Sequence, residues 1–297
     1  MSAPLFTGCA TALVTPFTQD GTLDEAALCR LIERQLSAGM DALVLLGTTG
    51  EPCTLTMDER ARVIAVAMEA AQGRAPVIVG TGANDTRRAI EYARQAYALG
   101  AQGQLCVTPY YNKATQDGLV RHFFAIANAC PLPMIVYNVP GRTGMSLTPE
   151  TAASLSEHPG IVGLKEASGD VSLALRILSA TEGHMPLYCG NDDLILPLMA
   201  TGAVGAISVV SNVLPAQTLA LTRACLSGCM EQARAAQLAL LPLIRALFSQ
   251  VSPIPAKAAL SMLGLCEDAL RLPLTPMEEP HRSALHGLLR RQGLLHG

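Results

Sequence analysis

Short apolar runs alternate with longer amphipathic stretches along most of the chain. The runs are CATALVTPF (9 to 17), ALVLLG (42 to 47), PVIVGTG (76 to 82), GQLCVTP (103 to 109), MIVYNV (134 to 139), IVGLKE (161 to 166), PLYCG (186 to 190) and AVGAISV (203 to 209). Each is apolar with little polar alternation, the pattern of a strand buried on both faces of a parallel sheet. The stretches between them have helical spacing, and several open on start signals. Thr22 with Glu25 and Thr56 with Glu59 read as capping boxes, and Thr148-Pro149-Glu150 puts proline in a first helical turn.

Eight such units predict an α/β fold of the closed (β/α)8 type, a TIM barrel, with an open doubly wound sheet as the alternative. After Ser227-Gly228 the strand pattern stops, and helices are expected over 229 to 250, 255 to 264 and 275 to 292, the last opening on a box from Thr275 to Glu278. The chain therefore divides into a barrel over 1–228, expected to carry the catalysis, and a C-terminal helical domain over 229–297. The helical part is expected to cover barrel surface or mediate association, with no chemistry of its own.

Composition narrows the function classes. Half of the 297 residues are hydrophobic and 15% are charged, against roughly 25% charged in ordinary domains, which implies extensive burial and subunit interfaces. A formal net charge of -3 offers no attraction to nucleic acid or an anionic membrane, so small molecules are the expected partners. The nine cysteines are scattered without a CxxC, which is no disulfide framework. The start lacks a basic leader region and no long uncharged apolar run follows, so a cytoplasmic, reduced, soluble protein is expected. The histidines at 122, 158, 184, 281, 286 and 296 show no metal-ligand spacing beyond the bare pair His281 and His286, and no metal site is expected. GTGAND (80 to 85) lacks the third glycine of a dinucleotide fingerprint, so no nicotinamide or flavin cofactor is expected.

In such a barrel the chemistry sits at the carboxyl ends of the strands. Lysine is rare here, only Lys113, Lys165 and Lys257, and Lys165 ends the sixth run. It has the parity of Ile161 and Gly163. If that face points inward, Gly163 leaves room, burial disfavours the charged form, and a neutral amine is a nucleophile for a carbonyl carbon. The alternative is a lysine snorkelling from a strand end beside Glu166. The second run ends in GTTGE, where Thr48, Thr49 and free backbone N–H groups form a turn able to hold a carboxylate, unless it is an ordinary glycine turn. MIVYNVPGRTG puts Tyr137 in a strand and Arg142 in the loop after it, a planar fork for a second carboxylate or a surface ion pair. Tyr110 and Tyr111 taken alone read as packing or interface residues. Asp192 and Asp193 in CGNDD would repel a phosphate, which favours a non-phosphorylated, carboxylate-bearing carbonyl substrate.

GTTGE, TPYYN, YNVPGRTG and GLKEASGD, in this order and spacing, resemble the dihydrodipicolinate synthase family, the 4-hydroxy-tetrahydrodipicolinate synthases. That family belongs to the pyruvate-dependent class I aldolases, which include N-acetylneuraminate lyase. The likeness runs from FTGCATALVTPF at residue 6 to LRLPLTP near 276. It implies a Schiff base between Lys165 and pyruvate, whose enamine attacks the aldehyde of L-aspartate 4-semialdehyde; the product cyclises and frees the lysine. This would be the first committed step of diaminopimelate and lysine biosynthesis. It further implies that Tyr137 moves protons in a relay with Thr48 and Tyr111, the last reaching a neighbouring subunit's site in a homotetramer built from dimers. Thr49 would hold the pyruvate carboxylate and Arg142 that of the semialdehyde, with backbone at Gly190 and Ile207 shaping the pocket.

The chain departs from the family pattern at Ser252-Pro253-Ile254-Pro255 and Gly190-Asn191-Asp192, neither expected to touch the chemistry. At the family's feedback site for lysine, Asn84 and Tyr110 match. A glutamate position holds Arg88, however, and histidine positions hold Met57 and Arg60, and a cation there repels an ammonium. The rival readings are a sugar-acid aldolase, disfavoured by Arg142 and Thr48-Thr49, and a barrel without catalysis, disfavoured by the retained lysine and tyrosine.

Overall fold

The computed structural model describes residues 4–295. His296 and the outermost residues of the two expected units lie outside that range. Strands β1 (Gly8–Ala12), β2 (Ala42–Leu45), β3 (Val77–Gly80), β4 (Gly103–Val107), β5 (Met134–Asn138), β6 (Ile161–Glu166), β7 (Leu187–Cys189) and β8 (Gly205–Ser208) are parallel neighbours in chain order, and β8 closes on β1. The closed (β/α)8 barrel is thus the fold, and the open sheet is excluded. Every strand residue is buried except Val107, which is half-buried, because inward side chains fill the barrel while outward ones meet helices.

Helices α1 (Glu25–Ser37), α2 (Met57–Ala71), α3 (Thr86–Ala98) and α4 (Gln116–Ala129) follow the first four strands. A single turn, α5 (Pro140–Thr143), and α6 (Pro149–Ser156) follow β5, and α7 (Val171–Ala180), α8 (Ile195–Ala200) and α9 (Pro215–Leu226) follow the last three. Beyond the barrel come α10 (Met230–Leu247), α11 (Ile254–Met262) and α12 (Glu279–Arg291). One continuous hydrophobic core runs from the strands into these last helices.

Thr56 and Glu59 form the expected capping box, and Thr148 caps α6. Two other expected boxes do not form. Asp24 caps α1 instead of Thr22, its carboxylate accepting from Ala27 N at 2.9 Å, while Glu25 pairs with Arg62. An ionised acceptor adjoining the helix satisfies the free N–H groups and complements the positive helix end. Thr275 caps nothing, because α12 starts four residues later with Pro280 in its first turn. A helix begun at 275 would have put that proline in its interior, without an N–H to bond and against the carbonyl four residues back.

Glycines 80 and 82 serve close packing. A Cβ on Gly80 would fall 1.9 Å from the Leu46 carbonyl oxygen, and one on Gly82 would fall 2.4 Å from Val107 N. Among the described residues no helix is long and apolar enough to cross a membrane, and no cluster of three or more His, Cys, Asp or Glu is arranged to hold a metal.

Candidate active site

β5 and β6 change register between Met134 and Ile135: Met134 pairs with Ile161, but Ile135 pairs with Gly163. One extra residue on β6 is absorbed there as a bulge, a device that re-aims side chains beyond it. Tyr137 therefore stands opposite Lys165 rather than Leu164. Lys165 points inward, 5% exposed, and its Nζ lies 4.4 Å from the centre of the Tyr137 ring. The inward orientation expected from strand parity is what the fold shows, but Gly163 does not make the room. A Cβ there would meet the Tyr188 ring at 3.0 Å, and Tyr188 fills that layer, stacked on Phe6 and donating its hydroxyl to the Phe6 carbonyl at 3.0 Å. Room for the lysine comes from Gly190, whose Cβ would lie 2.9 Å from Lys165 Cε.

Two adjoining cavities of about 360 and 320 Å³ open at this end of the barrel and share Gly47, Thr48, Tyr137, Arg142, Val251 and Ser252. The first also contains Thr49, Lys165 and Gly190. Thr48–Gly50 forms one tight turn, closed by Glu51 N donating to Thr48 O at 3.2 Å and tied to the segment after β1 by Thr15 Oγ1 donating to Gly50 O at 2.8 Å. Arg142 is carried on α5, exposed at the mouth, where its Nη2 donates to the Ser252 carbonyl at 3.2 Å; none of the ion pairs among the described residues includes it. An amine, a phenol, a hydroxyl-bearing turn and a free guanidinium thus converge on one apolar-walled space.

Two expected members are elsewhere. Tyr111 is 93% exposed, with a φ of 72° that a tyrosine rarely adopts, so within a single chain it lies outside this cavity. Ile207 is buried in β8 and does not line the cavity; Val209, two residues on, does. Residues two apart on a strand share a face at different depths, and Val209 is the shallower of the two.

The C-terminal helices are not remote from the chemistry. Phe248, Gln250, Val251 and Ser252, between α10 and α11, wall the cavity, and Asn191 lines it too, so both departures from the family pattern touch the site. No local signal in residues 248 to 252 announces this, because the contact is made across the fold. Asp192 is also not a free charge. It is buried, its Oδ2 accepts from Val209 N at 3.0 Å and Val210 N at 2.8 Å, and burial raises its carboxyl above the usual range. Next to the lysine, Glu166 is raised for the same reason while accepting from Ser168 N and, at 2.8 Å, from Asn138 Nδ2. These carboxylates tie neighbouring strand ends together.

Residues 5–292 match the model of the dihydrodipicolinate synthetase family. The chain belongs to that family. It is 52% identical to the 4-hydroxy-tetrahydrodipicolinate synthase of an Exiguobacterium species over 92% of this chain and 93% of the relative. Identity to the Alkaliphilus oremlandii enzyme of the same name is 48%, covering 98% of this chain and all of the other. The fold is similar, with a TM-score of 0.96 and 43% identity over 97% of this chain and 99% of the other, to a chloride-inhibited dihydrodipicolinate synthase from Acinetobacter baumannii solved in complex with pyruvate.

Of the positions that the resemblance links to lysine feedback, Arg60 and Tyr110 line the second cavity. Arg60 is 1% exposed, its guanidinium 3.9 Å over the Tyr92 ring and its Nη2 donating to Gly80 O at 2.6 Å, and burial pushes it down to about 10. Tyr110 shares that cavity and is pushed up to about 12, chiefly by burial. Arg88 is exposed and pairs with Glu91 at 3.2 Å.

Proposed function

We propose that this member of the dihydrodipicolinate synthetase family condenses pyruvate with L-aspartate 4-semialdehyde to give 4-hydroxy-tetrahydrodipicolinate, the entry to diaminopimelate and lysine. The observation that carries the reading is a buried lysine amine against the Tyr137 ring, in a cavity shared with the Thr48–Thr49 turn and Arg142. The amine of Lys165 adds to the keto carbon of pyruvate, and loss of water gives the imine. Tyr137 passes protons to and from the oxygen that leaves, and Thr49 with its turn holds the carboxylate. Removing a methyl proton converts the imine to an enamine, whose carbon attacks the aldehyde. The semialdehyde's own amine then displaces Lys165 from the imine carbon, closing the ring and releasing the enzyme. Arg142 receives the second carboxylate as a bidentate pair.

The working unit in this proposal is a cytoplasmic homotetramer of paired dimers, in which Tyr111 of one subunit completes the Tyr137–Thr48 relay of another. An exposed tyrosine held at positive φ supports that role, since strained backbone clusters at functional positions. The barrel, 1–228, and the helical part, 229–297, remain two units here, the second roofing the site. Lysine inhibits weakly or not at all, because cations at Arg60 and Arg88 repel its ammonium groups; assay with millimolar lysine checks this, and strong inhibition refutes it.

Borohydride reduction in the presence of pyruvate, followed by peptide mass spectrometry, tests the whole reading. A reduced pyruvyl adduct on Lys165 is expected. Its absence, with intact folded protein, sinks the proposal.

A further inference from the structure

Glu51 ends the Thr48–Gly50 turn in the left-handed conformation, with φ 51° and ψ 44°, a region that favours glycine or asparagine over glutamate. Its side chain runs inward and is 1% exposed. Oε1 lies 2.5 Å from Lys257 Nζ, an ion contact, and Oε2 accepts from Arg271 N at 3.2 Å. Lys257 is itself fully buried, donates to Ala269 O at 2.8 Å, and sits 4.1 Å over the Phe17 ring. The lysine belongs to α11, outside the barrel, while the carboxylate belongs to the turn after β2.

A buried ion pair is a weak stabilising device, since desolvation offsets most of its attraction and an apolar pair of similar volume serves as well. What it supplies is a fixed position. The turn is held by Thr15 from the segment after β1, by its own backbone hydrogen bonds, and by the Glu51 side chain from behind. The last is the contact through which α11 reaches the left-handed residue. We infer that Lys257, acting through Glu51, is a positioning residue that aims the Thr48–Thr49 turn at the carboxylate of the keto acid. The inference rests on the function proposed above. It gives α11 two tasks at the mouth, since the carbonyl of Ser252 just before it also aims Arg142.

The test compares the parent with Glu51→Gln, which keeps shape and loses charge, and with the double variant Glu51→Met/Lys257→Met, which removes both charges and preserves apolar packing. Pyruvate half-saturation is read by borohydride trapping on Lys165, and turnover at saturating substrates is read beside it. Both variants are expected to raise pyruvate half-saturation about ten-fold, the scale of one misaligned charge-assisted contact, with turnover per folded molecule within about three-fold. Lys257→Arg, which keeps the cation in a larger planar group, is expected to disturb half-saturation less than Glu51→Gln does. Half-saturation unchanged in the two charge-removing variants, with fewer folded molecules as the only loss, overturns the inference. Failure of the parent itself to trap pyruvate overturns the proposed function instead.

Discussion

The barrel mouth and the junction between barrel and C-terminal helices each bury one lysine, and the two ammonium groups are held in opposite ways. Lys257 has a carboxylate at 2.5 Å, a carbonyl at 2.8 Å and an aromatic face, so its charge is answered on every side. Lys165 has the Tyr137 face at 4.4 Å, no carboxylate in ion-pair contact among the described residues, and a cavity in front of it. Burial alone does not make a lysine reactive. In the proposed reaction, burial without a counter-ion beside open space suits Lys165 to the nucleophile's role, because the group's cheapest partner is then an incoming substrate.

The largest test of that contrast is Lys165→Met. It is expected to lower turnover by about 10⁴-fold or more, with stability in urea unchanged to about 1 kcal/mol, since no ion pair is broken. Glu51→Ala should do the reverse at the junction. It strands Lys257 without its counter-ion and is expected to cost about 3–5 kcal/mol of stability by the same urea melts, while trapping on Lys165 persists at saturating pyruvate. Equal losses of stability from both changes would break the comparison.

Tyr137→Phe keeps the aromatic face over Lys165 and removes the hydroxyl proposed to carry protons; turnover is expected to fall about 10²-fold with pyruvate trapping slowed rather than abolished. A smaller effect comes from His122, another buried titratable group, which takes part in no ion pair among the described residues. Thr86 Oγ1 meets its Nδ1 at 2.9 Å, its Nε2 has no partner, and burial pushes it down to about 4. The unfolded chain therefore binds more protons between pH about 6.5 and 4, and stability is full above that window and lost as pH falls through it. Urea melts at pH 7 and 4.5 should show the parent losing up to about 3 kcal/mol more than His122→Gln.

Much of the fold was legible because buried parallel strands announce themselves as unbroken apolar runs, and Lys165 stood out for being a rare residue at the end of one. The capping signals were less reliable. Asp24 displaced Thr22 and Pro280 displaced Thr275, each because a neighbouring residue solved the helix start with less strain. Ile207, which the resemblance put at the pocket, is buried in β8, and Val209 lines the cavity, a difference in depth that residues on one strand face do not announce. The roof at 248 to 252 and the brace at Lys257 were invisible, because both are contacts between segments about 100 to 200 residues apart with no shared pattern.

The chain's own pattern thus determined the closed barrel, the strand bearing the amine and the turn and guanidinium beside it, because periodicity and residue chemistry are local properties. Tertiary structure alone decided that Tyr137 faces Lys165, through a one-residue bulge between β5 and β6. It alone decided that Gly190 rather than Gly163 makes space for the lysine, and that a helix outside the barrel grips the Thr48–Gly50 turn through Glu51. The physical reason is common to all three: register, depth and compensation of charge depend on which segments meet in space, and sequence spacing carries no record of that.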